Sequence, residues 1–181
     1  QKGVMHLPNL VEELDNFNIP FHLSIAGKGA DKKKLEKALD SWIKKEQISF
    51  LGALNPTQVP EFLEKIDVYI FPSHFEGCPN ALLEAMMAGC VPISWKIKGI
   101  TDYVIKDGET GFLHAVGDCE HMAESILKLN KDRKLLRKIS QNTSENARNR
   151  FTPGLSAASY AKVLVDVLNQ PPLDFEPLSW S

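Results

Sequence analysis

Short apolar runs alternate along this chain with stretches whose apolar positions recur every three or four residues. The runs at 21–26, 47–51, 68–71, 91–95 and 112–115 are rich in Ile, Val and Phe, as expected of strands buried on both faces. Between them, 31–45, 59–64 and 79–88 place Leu, Ile, Ala or Met at helical spacing. This alternation predicts an α/β domain, a Rossmann-like parallel sheet with helices on both faces. From Glu120 onward the pattern is helical, with stripes at Met122, Ile126 and Leu129, then Leu135, Leu136 and Ile139, then Tyr160, Val163, Leu164 and Val167. The segment 4–16 carries another helical stripe, in which Pro8 must either begin the helix or kink it.

Composition narrows this picture. A chain of 181 residues, 43% hydrophobic, can bury one substantial core, and neither an internal repeat nor a low-complexity linker divides it. The expected organisation is one domain over 1–169 and a proline-containing tail at 170–181. A net charge of −2 and a pI near 6.2 provide no field for a polyanion. Lys32-Lys33-Lys34 and Lys44-Lys45 lie among acidic residues and read as solvated faces, so no nucleic-acid partner is expected. Cys78, Cys90 and Cys119 are odd in number and lack CxxC spacing, which points to a reduced, cytoplasmic setting without a disulfide framework or zinc site. Cys119 and His121 are close in sequence but have no further ligand nearby. No apolar run is long enough to span a bilayer, and the start at Gln1, without Met or a signal-like segment, suggests a fragment of something longer.

In open α/β sheets, ligands bind beyond the carboxyl ends of the strands, which directs attention to the loops after residues 26, 51, 71 and 95. The third of these is the informative one. Pro72-Ser73-His74-Phe75-Glu76-Gly77-Cys78 leads into Pro79, suited to the first turn of a helix that Gly89 closes. Backbone N–H groups of Asn80 and Ala81, with the Gly77-Cys78 turn and the positive end of the helix, are expected to receive a diphosphate without a metal ion. Glu76 and Glu84 flank that position, one able to hold a ribose and the other a sugar through charged hydrogen bonds. Two glutamates at this spacing are common on helical surfaces; the preceding strand, Pro79 and the small residues between them are what single these out. Gly27-Lys28-Gly29 follows a strand, but the third fingerprint glycine is replaced by Lys32 and the P-loop spacing is absent. This turn either approaches the donor or is a plain strand-to-helix connection. His74 reads as a loop histidine, while Met86 and Met87 with Leu82 and Leu83 read as core.

The segment Pro72-Ser73 … Glu76-Gly77-x-Pro79-Asn80-x-Leu82-Leu83-Glu84-Ala85-Met86 … Gly89-x-Val91-Pro92 resembles the E-x7-E signature of retaining glycosyltransferases of family 4, which have the GT-B fold of two Rossmann-like domains. Lys2-Gly3-Val4, Ile25-Ala26-Gly27-Lys28-Gly29, Phe50-Leu51-Gly52, Asp67-Val68 and Asp107-Gly108-Glu109-Thr110-Gly111-Phe112-Leu113 agree in order, from Lys2 to the helices before Phe151. The resemblance implies the carboxy-terminal, donor-binding domain. Glu76 then contacts the donor sugar, Glu84 bonds the ribose, and the backbone of Gly77, Cys78, Pro79, Asn80 and Ala81 meets sugar and phosphate. Lys2 is similar to one of two family cations that hold the diphosphate; the other, an Arg in an upstream strand, is absent from these residues, as is the acceptor domain. Cys78 departs from a frequent Phe, and Lys98-Gly99-Ile100-Thr101-Asp102 from a more usual Gly-Gly-x-x-Glu.

The implied function is transfer of a hexosyl or N-acetylhexosaminyl group, with retention, from a nucleoside-diphosphate sugar to a glycan or lipid-linked acceptor. Glu76 serves in positioning and electrostatics. A UDP-sugar is favoured because the Glu-Gly-x-Pro-Asn form resembles that of several transferases of envelope polysaccharide synthesis. No cofactor is expected, and the fragment is expected to be inactive alone. Membrane association, if any, is expected to be peripheral and through the absent domain. Two alternatives stand beside this reading: a non-catalytic nucleotide-sugar-binding module, and a GT-B nucleotide-sugar epimerase.

Overall fold

The computed structural model describes residues 1–171, so the expected tail lies, from residue 172 onward, outside the described residues. Five strands form where the apolar runs predict: β1 (Leu23–Ala26), β2 (Ile48–Gly52), β3 (Val68–Phe71), β4 (Val91–Trp95) and β5 (Phe112–His114). Every pairing is parallel. The strands make two ladders rather than one continuous sheet, β1 beside β2 and β3-β4-β5 with β4 central. An apolar run identifies a strand but does not encode its neighbour, which is why the division escapes a local reading. β4 is buried at all five positions, as expected of a strand paired on both edges and covered on both faces. β1 and β3 are largely half-buried, and both border a cleft of about 1000 Å³.

Helices cover the strands. A 3-10 turn at Val4–His6 leads into α1 (Leu7–Asn16), which Pro8 begins rather than kinks, since its missing N–H falls in the first turn. Leu7, Leu10, Val11 and Leu14 form its buried stripe, packed with the strands and with α7 (Cys119–Lys131) in the largest core cluster. The helix expected over 31–45 breaks at Leu39 into α2 (Lys32–Ala38) and α3 (Asp40–Lys44). Then come α4 (Val59–Leu63), α5 (Asn80–Met87) and α6 (Thr101–Val104).

Asp132 separates α7 from α8 (Arg133–Arg150), its carboxylate accepting from the N–H groups of Lys134 and Leu135. α8 packs along α5. Gly89, at φ +89°, ends the α5 turn where a side chain would be strained, and its carbonyl accepts from Ser140 Oγ at 2.6 Å. In α9 (Pro153–Leu168) the apolar stripe does not join the core: Tyr160, Val163, Leu164 and Val167 are all exposed, Tyr160 at 73%.

Candidate functional site

The loop that follows β3 is held by packing on both sides. Phe71 is buried at its start, and Leu82 and Met86 of α5 are completely buried at its end. Leu83 and Met87 pack against the same cluster, so the apolar face of this helix is core, as its pattern suggests. The loop itself therefore projects from a rigid frame at the carboxyl end of β3.

Glu76 is buried in this loop, 6% exposed, and its Oε1 accepts a hydrogen bond from Lys2 Nζ at 2.7 Å. Burial pushes its carboxyl pKa up. The hydrogen bonds from Lys2 and Ser73, with the lysine charge, outweigh burial and hold it below the ordinary glutamate range. Glu76 is thus a buried anion with a cation from the amino-terminal segment beside it. The two segments also meet through their backbones, where the His74 N–H donates to Gln1 O at 2.9 Å. Gly3, at φ +64°, makes this possible, because a Cβ there would stand 1.8 Å from Pro72 O.

Lys2, Gly3, Gly27, Lys28, Gly29, Pro72, Ser73, His74 and Ala81 all border the large cleft. The glycine turn after β1 and the loop after β3 therefore face one space, which sequence alone left open. Glu76, Gly77, Cys78, Pro79, Asn80 and Glu84 do not line it. Gly77, Cys78, Asn80 and Glu84 are exposed, whereas Pro79 is buried.

At the start of α5, Pro79 occupies the position before the first helical residue, not the first turn. Its φ of −83° and ψ of 61° make an inverse γ-turn in which the Asn80 N–H donates to Cys78 O at 2.9 Å. The expectation that Asn80 offers a free N–H is therefore corrected: the tight turn consumes it. Cys78 Sγ donates to Asn80 Oδ1 at 3.1 Å and ties the turn further. Among the described residues, no side chain caps α5, and no carbonyl outside the helix accepts from Ala81, Gly77 or Cys78. Those N–H groups, together with the helix dipole, favour an anion.

Glu84 projects from the exposed side of α5. Tyr69, in β3, records the nearness of both carboxylates: burial first, then the charges of Glu84, Cys90 and Glu76, push its phenol up to about 12. Tyr69 and Ser73 belong to the site's support and were not singled out by sequence, since a strand tyrosine and a loop serine carry no distinguishing pattern. His6 was missed for the same reason. Its Nε2 lies 3.1 Å from His74 Nε2, and its ring meets Trp95 edge-on at 5.7 Å. His121 bonds Asp118 at 2.8 Å, and no cluster of three or more metal-ligating side chains occurs among the described residues.

A family model described as glycosyl transferases group 1 matches residues 1–150. The chain belongs to this family. Its relatives include the N-acetyl-alpha-D-glucosaminyl L-malate synthase of Bacillus anthracis, 32% identical over 68% of this chain and 32% of that protein. Another is the capsular polysaccharide biosynthesis glycosyltransferase CapM of Staphylococcus aureus, 35% identical over 50% of this chain and 24% of its own length. The chain thus spans a third or less of these two relatives.

The fold is that of the carboxy-terminal domain of GT-B glycosyltransferases. S. aureus TarM, solved in complex with UDP among other ligands, superposes with a TM-score of 0.81 at 21% identity over 93% of this chain and 33% of TarM. Anabaena HepE, solved with UDP and glucose, gives 0.79 at 20% identity over 91% of this chain and 45% of HepE. A crystallised carboxy-terminal domain of the group 1 protein LpcC from Francisella tularensis gives 0.63 at 22% identity, over 78% of this chain and 92% of that one. Among the described residues, no helix is long and apolar enough to cross a membrane.

Proposed function

We propose that this domain binds a nucleoside-diphosphate sugar, a UDP-sugar in preference, and that the full-length protein transfers its hexosyl or N-acetylhexosaminyl group to a glycan or lipid-linked acceptor. Retention and membership of family 4 are part of this proposal and rest on the E-x7-E resemblance. The observation that carries the reading is the apposition of Lys2 with the buried Glu76 beside the uncapped start of α5. A cation and free N–H groups suit a diphosphate, and carboxylates on either side suit hydroxyls of ribose and sugar. No metal ion is part of this reading, in which Lys2 and the N–H groups at the start of α5 face the diphosphate. Glu76 orients the sugar and stabilises developing positive charge at the anomeric carbon, Glu84 holds the ribose, and Lys2 with the Ala81 amide stabilises the departing phosphate. UDP in the structures of TarM and HepE supports the choice of base. The acceptor and any peripheral membrane contact belong to the remainder of the protein.

Calorimetric titration with UDP, GDP and ADP and their glucose and N-acetylhexosamine conjugates tests the proposal. Selective binding of the uridine ligands, weakened about tenfold or more by Glu84→Ala through loss of a charged hydrogen bond, is expected. A folded full-length protein that binds none of them would overturn it. Sugar inversion without release of free UDP would assign an epimerase instead.

A further inference from the structure

Two histidines stand where the amino-terminal segment meets the loop after β3, and the donor reading gives neither a task. His6 Nε2 and His74 Nε2 are 3.1 Å apart, so one ring donates and the other accepts. His6 is the fixed member. It sits at the start of α1, its ring meets Trp95 edge-on at 5.7 Å, and a Cβ at Gly117 would lie 3.9 Å from its Cε1. His74 is the outer member, exposed in the loop between Ser73 and Glu76. A Cβ at Gly3 would stand 3.4 Å from its Cδ2, which puts the ring over the residue that follows Lys2. Both imidazoles border the same cleft as Lys2 and Ala81.

Charge gives the pair its role. Lys2 Nζ is already matched by the buried Glu76 carboxylate at 2.7 Å, so those two groups together carry no net charge. A nucleoside-diphosphate sugar brings two negative charges, against which the start of α5 offers about half a positive charge. The histidine pair can carry one more. With one added proton it stays closed, an imidazolium donating to a neutral ring; with two, a pair of N–H groups would oppose each other at 3.1 Å. While intact it therefore holds a single positive charge, gained in the pH range where imidazole titrates.

The other ionisable groups around the pair are committed elsewhere. On the β3 loop, burial raises Glu76, but Lys2 and Ser73 outweigh it and keep the carboxyl an anion. Beyond Gly117, Asp118 is held low by its hydrogen bond with His121, and His121 bonds Asp118 rather than the pair. Cys119, whose Sγ donates to His6 O at 3.6 Å, is pushed up by burial and remains a thiol. His114, opposite Trp95 in β5 and bonded to Ser125, is pushed down by burial and remains neutral. Lys96, which follows Trp95, is an exposed cation.

We propose that the His6–His74 pair is a proton-linked cation of the donor site: it takes up one proton from solvent as the nucleoside-diphosphate sugar binds, and its imidazolium faces the diphosphate beside Lys2. This deepens the donor reading and rests on it. His74 meets the ligand, and His6 is a positioning residue that shares the proton.

Calorimetry of the full-length protein with UDP-glucose and UDP-N-acetylglucosamine, at pH 7 in buffers of different ionisation enthalpy, counts the protons bound. A nucleotide sugar suits this count because its diphosphate does not itself titrate near neutrality. Uptake of roughly half a proton per ligand is expected. Affinity gained from such a proton is greatest at low pH and is lost as pH rises, so binding should weaken by about 3- to 10-fold from pH 6 to pH 8. The double variant His6→Gln with His74→Gln should lose both the uptake and the pH dependence, while binding within about threefold of wild type at pH 8. The wild-type proton count stands without any variant. Binding with no proton uptake, or uptake undiminished in the double variant, would overturn the role of the pair and leave the donor reading standing. Failure of both ligands to bind at either pH would overturn the donor reading and this proposal with it.

Discussion

Replacing Gly3 with alanine tests whether the amino-terminal segment is truly clamped against the loop that follows β3. Two costs are separable. The first is conformational: at φ +64° an L-residue sits in the left-handed region, worth about 1–2 kcal/mol. The second is collision, since the new Cβ would stand 1.8 Å from Pro72 O and 2.8 Å from Pro72 C. Both are backbone atoms at a proline, so neither can rotate aside. The segment must withdraw by roughly an ångström, releasing the His74 N–H from Gln1 O and Lys2 from Glu76. The hydrogen bond is worth about 1 kcal/mol. The ion pair adds about 1 kcal/mol or less, because the Lys2 side chain is 63% exposed and screened by solvent.

The total, about 3 kcal/mol, corresponds to a fall in thermal midpoint of roughly 6–12 °C for a chain of this size. Gly99→Ala is the control. Gly99 has φ +77° and open space where a Cβ would go, so it carries only the conformational cost of about 1–2 kcal/mol. The assay pairs thermal unfolding of both variants with carboxyl NMR titration of Glu76. Gly3→Ala should melt below Gly99→Ala and raise the Glu76 pKa, while Gly99→Ala leaves that titration where it is. Equal melting of the two variants with an unmoved Glu76 would refute the clamp.

Three further outcomes are expected. Because the folded Glu76 pKa is depressed, its contribution to stability is present above the ordinary glutamate value and is lost as pH falls through the folded value. Lys2→Met leaves burial opposed only by Ser73, so the wild-type advantage in urea unfolding should shrink between pH 6 and pH 3; a constant difference across that range would contradict the pairing. Thr101 is completely buried, accepts from the Ile97 N–H at 2.7 Å and donates to Trp95 O at 2.7 Å. Thr101→Val strands the Ile97 N–H, while Trp95 O keeps the Ser94 Oγ contact at 3.0 Å, so the cost in urea unfolding should be about 1–3 kcal/mol and the loop after β4 should loosen; a cost below about 0.5 kcal/mol would show the Ile97 N–H to be satisfied otherwise. Leu82, at 0% exposure, anchors α5, so Leu82→Ala should cost about 2–5 kcal/mol and Leu82→Met less than about 1.5 kcal/mol, an ordering that chemical denaturation checks directly.

The positions of all five strands were legible in the sequence as short runs rich in Ile, Val and Phe of strand length, although β4 alone among them is buried at every position. So was the place of the loop carrying Glu76: a strand, a small-residue loop and a helix closed by Gly89 determine one another locally. Local pattern also indicated that Leu82 and Met86 are core. It did not indicate that β1-β2 and β3-β4-β5 form separate ladders, since strand neighbours are chosen by packing across long separations. Nor did it foresee the fate of the Asn80 N–H, which depends on a ψ of 61° at Pro79 that proline chemistry permits without requiring. The exposed stripe of α9 looks identical in sequence to a buried one, because periodicity records amphipathicity and not what covers it. The contact between Lys2 and Glu76, 74 positions apart, belongs to tertiary structure alone: only the packing of α1 brings the start of the chain to the end of β3, and only the absence of a Cβ at Gly3 lets the two backbones close.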